Sequence, residues 1–417
     1  MKKKLIALLG ISTILSVQPI YVSAEASEPI PGVSVEKDDS SSTGYTVTFT
    51  YEDADASSVQ LVGTFAFYDW GHRVATIPDE KIPLNNWEPE DFRASSSDFA
   101  TTEEMKKIEG TDYWTVSLPL PSGHYLYNYN VDGSEENIPD PANEPMKSNA
   151  ESGNASILST VDVPYDEKQG DSINFDFMMA DNEIPAGTIE YADYTDINGN
   201  QAPLSIYLPN KYDATSANSY KVLYLSHGGG GNEMEWFSSG NTNYVFDKLI
   251  ADGAVEPTIV VAMSNGVYEW NYDVINQNLT DCIIPFIEEH YNVGKESCDR
   301  AFAGLSMGAM TTSNVIYKNA DKFGYFGVFS GSDSSIDFSQ LDVDTIKQAT
   351  IMIGAGTYDM AYVNSSYNTP EDRTTIGLMD HFNELEIPYS FYEVKGGHDW
   401  TVWPQLLKIF AENYLWK

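Results

Sequence analysis

The chain has 417 residues, a length that suggests two or three domains. Apolar residues make up 42% of it, which is a globular composition and excludes disorder as the main state. Its 62 acidic residues against 23 basic ones give a net charge of −39, which excludes a large basic surface for nucleic acid or an anionic membrane. Two cysteines exclude a disulfide scaffold and a cysteine-rich zinc module.

The N-terminus has the pattern of a secretory signal peptide. Lysines at residues 2–4 precede a short apolar run over residues 5–17, and small residues up to Ala24 offer a cleavage site. An uncleaved anchor is the alternative, but the apolar run is short for a membrane span. We therefore expect residues 1–24 to be removed on export, which leaves a secreted protein without a membrane partner.

Residues 28–165 show the pattern of a small all-β domain. Polar and apolar residues alternate in several runs, at residues 45–51, 59–62, 114–118 and 125–131. Gly, Pro and Asp separate these runs, which predicts a small antiparallel immunoglobulin-like sandwich. The polar stretch from about residue 78 to residue 110 predicts a long loop, in which residues 102–108 could form a helical turn. Residues 166–180 predict a linker.

Residues 181–417 show a different pattern, in which strand-length apolar runs alternate with helix-length segments. The runs are residues 204–208, 222–225, 258–263, 301–305, 325–329, 350–353 and 389–394. Continuously apolar strands between helices indicate a mostly parallel sheet covered by helices on both faces, which is an α/β fold.

A Gly-x-Ser-x-Gly motif lies at the junction between one predicted strand and the next predicted helix. Ser306 is its centre, flanked by Gly304 and Gly308. A sharp strand-to-helix turn projects a serine hydroxyl from the carboxyl end of the sheet, and glycines on both sides let the chain pass closely. The motif therefore predicts a nucleophilic serine.

A nucleophilic serine needs a base and an acid that orients the base. His398 follows the last predicted strand and precedes the C-terminal helix, which is where the base lies when the order is Ser, acid, His. Asp359 follows the strand over residues 350–353 and is the favoured acid. Asp333, one strand earlier, is the competing choice, and either aspartate could instead serve its own loop turn.

A glycine run after the strand over residues 222–225 offers backbone donors for an oxyanion. We expect the N–H groups of Gly229 and Met307 to face the developing negative charge. His227, at the start of the run, is expected to anchor the loop by hydrogen bonds. No Gly-Lys-Ser/Thr follows the run, so a phosphate loop is discounted, and we expect neither a metal nor another cofactor.

The second region resembles the esterase D-like α/β-hydrolases, which include the family 1 carbohydrate esterases. The matching residues are 223–232 with Glu235 and Trp236 after them, 304–308, and 396–400 with Trp403. The resemblance implies an α/β-hydrolase domain with its catalytic residues at Ser306, Asp359 and His398. Ala186 departs from the pattern, because many relatives have histidine there.

The first region resembles the early-set modules called family 48 carbohydrate-binding modules. The matching residues are 61–65 with Asp69 and Trp70, 110–114, 121–127, 131–133 and 140–143. The resemblance implies that Trp70 and Trp114 stack on sugar rings. The alternative is that both are core aromatics of the sandwich.

An early-set module before such an esterase resembles xylan-directed feruloyl and acetyl esterases. The resemblance implies a secreted serine esterase acting on acylated plant polysaccharide or its oligosaccharides, with feruloyl as the first choice of acyl group and acetyl as the second. Trp236, Trp270 and Trp400 are expected to line the substrate site, although some of them could be core residues. An acyltransferase or siderophore-ester hydrolase of the same fold, and an inert carbohydrate-binding protein, remain as alternatives.

Overall fold

A computed structural model describes residues 29–69, 80–94, 100–363 and 373–417. The predicted signal peptide, residues 1–24, lies outside these described residues. Across the ranges that the structure describes, no helix combines the length and the apolar character needed to cross a membrane.

The first region is built from short antiparallel strands. Within the described residues they are β1 Gly32–Lys37, β2 Tyr45–Glu52, β3 Val59–Gly63, β4 Phe67–Tyr68, β5 Phe92–Arg93, β6 Thr101–Glu104, β7 Lys106–Lys107, β8 Tyr113–Leu118, β9 Gly123–Val131 and β10 Ser159–Val163. One sheet has the order β1-β2-β8-β7 and the other β10-β9-β3-β6. Alternate side chains of the two sheets, such as Phe49, Tyr127 and Tyr129, fill a shared aromatic core.

The long loop predicted from about residue 78 to residue 110 is only partly a loop. Strands β6 and β7 extend the two sheets and stand where a helical turn was expected at residues 102–108. Strand β4 pairs with β5 in a separate two-stranded ribbon. The prediction was wrong here because these strands are too short to show a period of two in the sequence. The ribbon matters below, because β5 carries Phe92.

The second region is organised around one mixed sheet. Among the described residues its strands are β11 Thr188–Thr195, β12 Gln201–Leu208, β13 Lys221–Ser226, β14 Thr258–Met263, β15 Arg300–Leu305, β16 Tyr325–Phe329, β17 Thr350–Gly356 and β18 Ser390–Val394. Their order is β11-β12-β14-β13-β15-β16-β17-β18, and the strands from β14 to β18 are parallel. Strand β12 runs antiparallel to both of its neighbours, β11 and β14. Parallel strands send their carboxyl ends to one edge of the sheet, where the candidate site lies.

Helices cover both faces of this sheet, as the sequence predicted. The described helices are α1 Glu235–Ser238, α2 Thr242–Ala251, α3 Tyr272–Asn278, α4 Ile284–His290, α5 Met307–Asn319, α6 Val343–Ile346, α7 Thr374–Glu384 and α8 Trp403–Asn413. Phe246 of α2 and Leu406 of α8 belong to the core on one face. Ile287 of α4, Val315 of α5 and Phe382 of α7 belong to the core on the other. The predicted fold class, an all-β sandwich followed by an α/β-hydrolase region, is confirmed.

Residues 166–180 differ from the predicted linker. They form two 3₁₀ turns, Glu167–Gln169 and Asp176–Met178, and Phe175 and Met178 are buried in the core of the α/β region. The Gln169 side chain donates to the Thr43 carbonyl oxygen and accepts from the Ser122 N–H. The apolar residues of this segment are spaced too irregularly to predict a helix or a strand. Their burial nevertheless holds the segment against the α/β region.

The sandwich and the α/β region lie within one compact unit, Pro31–Lys417. The imidazole of His124 in β9, only 4% exposed, joins them: its Nε2 lies 3.0 Å from the carbonyl oxygen of Ser238. Its Nδ1 lies 2.7 Å from Asp162 Oδ1, and Asn241 donates to the same carboxylate. Buried polar contacts of this kind fix the orientation of the two regions, because breaking one leaves unpaired groups in the interior.

Candidate active site

Ser306 occupies a strained turn between β15 and α5. Its backbone has φ 53° and ψ −118°, a conformation that side-chain-bearing residues rarely adopt, and its N–H donates to the Phe329 carbonyl oxygen at 2.9 Å. A Cβ atom added to Gly304 would overlap the backbone of Gly308. The two glycines of the motif are therefore required by the close passage of the strand past the helix.

Three side chains form a hydrogen-bonded chain at the carboxyl edge of the sheet. His398 Nε2 lies 2.8 Å from Ser306 Oγ, and His398 Nδ1 lies 2.8 Å from Asp359 Oδ1. Asp359 is fully buried, and its Oδ1 also accepts the N–H of Ala361 at 2.8 Å. The structure thus brings together the three residues that the sequence singled out, from the ends of β15, β17 and β18.

The pKa of His398 is raised above its ordinary value of 6.5. Burial by itself lowers this pKa, because it disfavours the imidazolium. The charge of Asp359 and its hydrogen bond outweigh burial, and the charge of Asp399 adds to them. The site is therefore built to stabilise a proton on His398.

Asp333, the competing acid, takes a different role. Its Oδ2 accepts from Asn314 of α5 at 2.7 Å, and its Oδ1 accepts from the backbone and hydroxyl of Ser335. These partners hold the loop after β16 against α5. The geometry joins His398 to Asp359, and Asp333 serves its own loop.

His227 anchors the glycine loop after β13. It is fully buried, and its Nε2 accepts the N–H of Asn265 at 3.0 Å, so that Nδ1 carries the hydrogen and donates to the Gly228 carbonyl oxygen at 2.6 Å. Burial lowers the pKa of His227 to about 4, although the bond to Gly228 works against this. The side chain is therefore neutral at pH 7 and holds the loop by hydrogen bonds.

The two predicted oxyanion donors lie on adjacent segments. A Cβ atom on Gly229 would lie 3.0 Å from Met307 Sδ. Met307 is the first residue of α5, so its N–H has no acceptor within the helix. No acceptor for the N–H of Gly229 or Met307 occurs in the parts of the chain that the structure describes. Both donors are thus available beside Ser306.

The tryptophans expected to line the substrate site have different environments. Trp236 is fully buried, and its Nε1 donates to the Ser226 carbonyl oxygen at 3.1 Å. Trp400, 7% exposed, packs edge-on against Trp236 and Trp403. These two predictions were wrong, because both rings fill the core behind the site. Trp270 is half-buried with its ring edge-on to His227 at 5.5 Å, and it keeps exposed surface.

Of the two tryptophans expected to stack on sugar rings, the structure describes Trp114. Trp114 is 7% exposed, its Nε1 donates to the Asp53 carbonyl oxygen at 3.1 Å, and the Lys107 ammonium lies 5.4 Å from its ring centre. The prediction for Trp114 was wrong, since little of the ring remains free to stack on a sugar. Trp70 lies outside the described residues.

Glu235 is a half-buried residue with a buried carboxyl oxygen, Oε2, and the sequence did not identify it as part of the site. It begins α1, directly after the glycine loop, and a Cβ atom on Gly231 would overlap its Oε2. Burial raises its pKa to about 7, with a hydrogen bond from Trp400 acting in the opposite direction. Only its place after the glycine run hinted at this position, because burial of a single glutamate leaves no pattern in a sequence.

Cysteines and groups of metal-binding side chains are two further features to consider in the described residues. Cys282 and Cys298 are both free thiols. In the ranges described, no group of three or more His, Cys, Asp or Glu side chains is placed to hold a metal ion.

Comparison with known proteins places the chain in a family. The Esterase family model, described as "Putative esterase", matches residues 196–411, just over half of the chain. The curated endo-1,4-beta-xylanase/feruloyl esterase of Xylanibacter ruminicola is 29% identical over 229 residues, which are 52% of this chain and 30% of that protein. The chain thus matches less than a third of that relative's length.

Two solved structures have the same fold. A family 1 ferulic acid esterase from Anaeromyces mucronatus is 21% identical with a TM-score of 0.51, covering 58% of this chain and 95% of its own. The enterobactin esterase of Shigella flexneri is 15% identical with a TM-score of 0.51, covering 92% of this chain and 96% of its own. The first likeness covers little more than half of the chain, and the second extends over nearly the whole chain. With the family match over residues 196–411, the chain belongs to the Esterase family.

Proposed function

We propose that this protein is a secreted serine carboxylic-ester hydrolase that removes feruloyl groups, or as the second choice acetyl groups, from plant cell-wall polysaccharide such as xylan. One observation carries the hydrolase part of the proposal. It is the hydrogen-bonded chain from Ser306 through His398 to Asp359, at a strained strand-to-helix turn.

In the acylation step, Ser306 Oγ attacks the ester carbonyl carbon while His398 Nε2 accepts the hydroxyl proton. Asp359 keeps the proton on Nδ1 and stabilises the imidazolium that forms. The C–O bond to the leaving alcohol then breaks, and His398 returns the proton to the leaving oxygen. An acyl-serine at Ser306 remains.

In the deacylation step, a water molecule takes the place of the alcohol. His398 accepts a proton from this water as it attacks the acyl carbon. The bond between the acyl carbon and Ser306 Oγ then breaks, His398 returns the proton to Ser306 Oγ, and the free carboxylic acid leaves. In both steps the N–H groups of Gly229 and Met307 donate to the carbonyl oxygen as it becomes negative. Their adjacent positions and available hydrogens support this assignment.

The choice of a feruloyl group draws support from two sources. The relative from Xylanibacter ruminicola has feruloyl esterase in its name. Two exposed apolar side chains also lie on loops at the carboxyl edge of the sheet. Val267, 64% exposed, is on the loop after β14 that carries Trp270, and Met360, 47% exposed, follows Asp359. An aromatic acyl group buries apolar surface against such side chains, whereas an acetyl group has little to bury.

The deciding experiment compares hydrolysis of methyl ferulate and of acetylated xylan by the purified protein, with Ser306→Ala as the control. We expect both activities to require Ser306 and methyl ferulate to be preferred. Preference for acetylated xylan would reject the feruloyl assignment and favour a shallow acyl site. Activity that survives in Ser306→Ala would reject the serine mechanism.

An inert carbohydrate-binding protein is the alternative from another class. A fluorophosphonate reacts with an activated serine, so the wild-type protein should be labelled and Ser306→Ala should not. A wild-type protein that resists labelling would favour the binding function.

The secretion part of the proposal depends on residues 1–24, which lie outside the described residues. We expect export of the full chain from a bacterial host to yield a protein whose first residue follows Ala24. An exported protein that retains residues 1–24 would indicate an anchor instead.

A further inference from the structure

We infer that the sandwich is a positioning element of the catalytic site, and that Phe92 of β5 is the side chain through which it acts on His398. The inference rests on the proposed hydrolase function and deepens it. It assigns to the sandwich a role in catalysis on any ester, including esters too small to reach a sugar-binding surface.

Phe92 packs directly on the two residues that precede the base. A Cβ atom on Gly397 would lie 3.1 Å from Phe92 Cζ, and one on Gly396 would lie 3.6 Å from Phe92 Cε2. Phe92 is 2% exposed, so the ring is enclosed at this contact. A flexible Gly-Gly segment is thereby held from outside by a rigid aromatic ring.

The same ring also touches the segment that carries the acid. The rings of Phe92 and Tyr358 meet edge-on with their centres 5.7 Å apart, and Tyr358 directly precedes Asp359. The N–H of Tyr358 donates to the Gly396 carbonyl oxygen at 2.9 Å. Phe92 therefore lies where the acid segment and the base segment meet.

Phe92 is itself fixed by the sandwich. Its neighbour Arg93 is buried, donates to the His124 carbonyl oxygen at 2.7 Å, and lies 4.3 Å from the ring centre of Tyr125. A further hydrogen bond joins the segment before β5 to the segment before Gly396, because Lys395 Nζ donates to the Pro89 carbonyl oxygen at 2.6 Å. These contacts hold the strand that carries the Phe92 ring in a fixed position.

A second contact reaches the opposite side of the site. Glu233, fully buried at the end of the glycine loop, accepts the Asn154 backbone N–H at 2.9 Å and its side-chain amide at 2.8 Å. Asn154 precedes β10 of the sandwich. The sandwich therefore holds both the loop of the base and the loop of the oxyanion donors.

The test begins with Phe92→Ala, assayed on p-nitrophenyl acetate. A shift of about 1 Å at a catalytic group costs up to about 100-fold in rate, so we expect kcat to fall by about 10- to 100-fold with little change in KM. The matched control is Phe49→Ala, a fully buried phenylalanine in the sandwich core that β2 carries. It should lower the melting temperature and leave kcat near the wild-type value.

Gly397→Ala tests the same contact from the glycine side, and Phe92→Leu takes the place of Phe92→Ala if that variant folds poorly. Gly397→Ala places a methyl group 3.1 Å from the Phe92 ring and should lower kcat in the wild-type background. In the Phe92→Ala background that space is open, so the same change should have little further effect. Phe92→Leu, which keeps most of the volume, should recover part of the lost kcat.

The outcomes separate this inference from the proposed function. If the wild-type protein neither hydrolyses esters nor reacts with a fluorophosphonate, the proposed function fails. If the wild-type protein is active and Phe92→Ala retains the kcat of Phe49→Ala, the positioning role is overturned. Additive losses from Phe92→Ala and Gly397→Ala would overturn it as well, because the two changes would then act independently.

Discussion

The turn that carries Ser306 and the loop that carries His398 are held in place by different means. The turn is fixed largely by local geometry, because β15 enters it, α5 leaves it, and Gly304 and Gly308 lie at contact distance. Two strands beside β15 add to this support, since the Ser306 N–H donates to Phe329 and Gly308 packs on Ser226. The loop before His398 contains two consecutive glycines and is supported by Phe92, which lies about 300 residues earlier in the chain.

This difference shows how one catalytic site can have two kinds of support. A strand followed by a helix dictates the direction of a side chain at their junction through local backbone geometry. A Gly-Gly loop dictates little by itself, because glycine has many accessible backbone conformations. Its conformation must come from contacts with the rest of the protein.

The largest effect is expected from a change on the His398 side. Asp359→Asn should lower kcat by about 10³- to 10⁴-fold, because the amide favours the wrong imidazole tautomer and no longer stabilises the imidazolium. Steady-state kinetics on methyl ferulate provide the measurement. Asp333→Asn is the matched control and should remain within about threefold of wild type, since Asp333 bonds to Asn314 and not to His398. Equal losses in the two variants would contradict the assignment of the acid.

The next effect concerns the Ser306 side. A Cβ atom on Gly308 would overlap the Ser226 carbonyl oxygen and lie 2.6 Å from that of His227, so Gly308→Ala must displace backbone. We expect kcat to fall by at least about 100-fold in a protein whose circular dichroism stays near wild type.

Gly377→Ala is the control for this change. Gly377 lies in α7 with nothing within 4 Å of an added Cβ, so the variant should keep kcat and gain about 0.5–1 kcal/mol in free energy of unfolding. A Gly308→Ala enzyme as active as Gly377→Ala would show that the turn tolerates displacement.

The smallest effect is expected at Glu235, which lies between the Ser306 turn and the His398 loop, and it concerns stability. Its carboxyl lies against Gly231 of the oxyanion loop, and Trp400, two residues after His398, acts to lower its pKa. Because burial raises its pKa from 4.5 to about 7, the folded state favours the neutral acid, and its contribution to stability is lost as pH rises from 4.5 to about 7. Glu235→Gln removes this loss.

Urea unfolding at two pH values measures the effect of Glu235→Gln. At pH 8 the variant should be more stable than wild type by about 1–3 kcal/mol, and at pH 4 the difference should vanish. A difference that does not change with pH would mean that Glu235 ionises in the folded state as freely as in the unfolded one.

The elements of the α/β region were predictable because their signals are local. The apolar runs over residues 258–263 and 325–329 coincide with the observed strands β14 and β16, and the Gly-x-Ser-x-Gly motif correctly marked the turn between β15 and α5. A continuous apolar run is visible in any window of the sequence, and so is a glycine pattern.

The aromatic residues of the site were predicted less well. Trp236, Trp400 and Trp114 proved to be buried, whereas Trp270 keeps exposed surface. A tryptophan in a core and one in a pocket wall follow the same preference for burial, so residue type and position do not distinguish them. Only the packing of neighbouring elements decides which ring faces solvent.

By itself the sequence determined the order of the elements, the serine turn, and the candidates for base and acid. These follow from hydrophobic periodicity and from backbone geometry over a few residues. The tertiary structure alone decided that His398 meets Asp359 instead of Asp333, that residues 166–180 are packed, and that Phe92 supports the His398 loop. The physical reason is that contacts between distant segments depend on how whole elements pack. Hydrophobic periodicity shows which face of an element is buried, but not which residues of another element it meets.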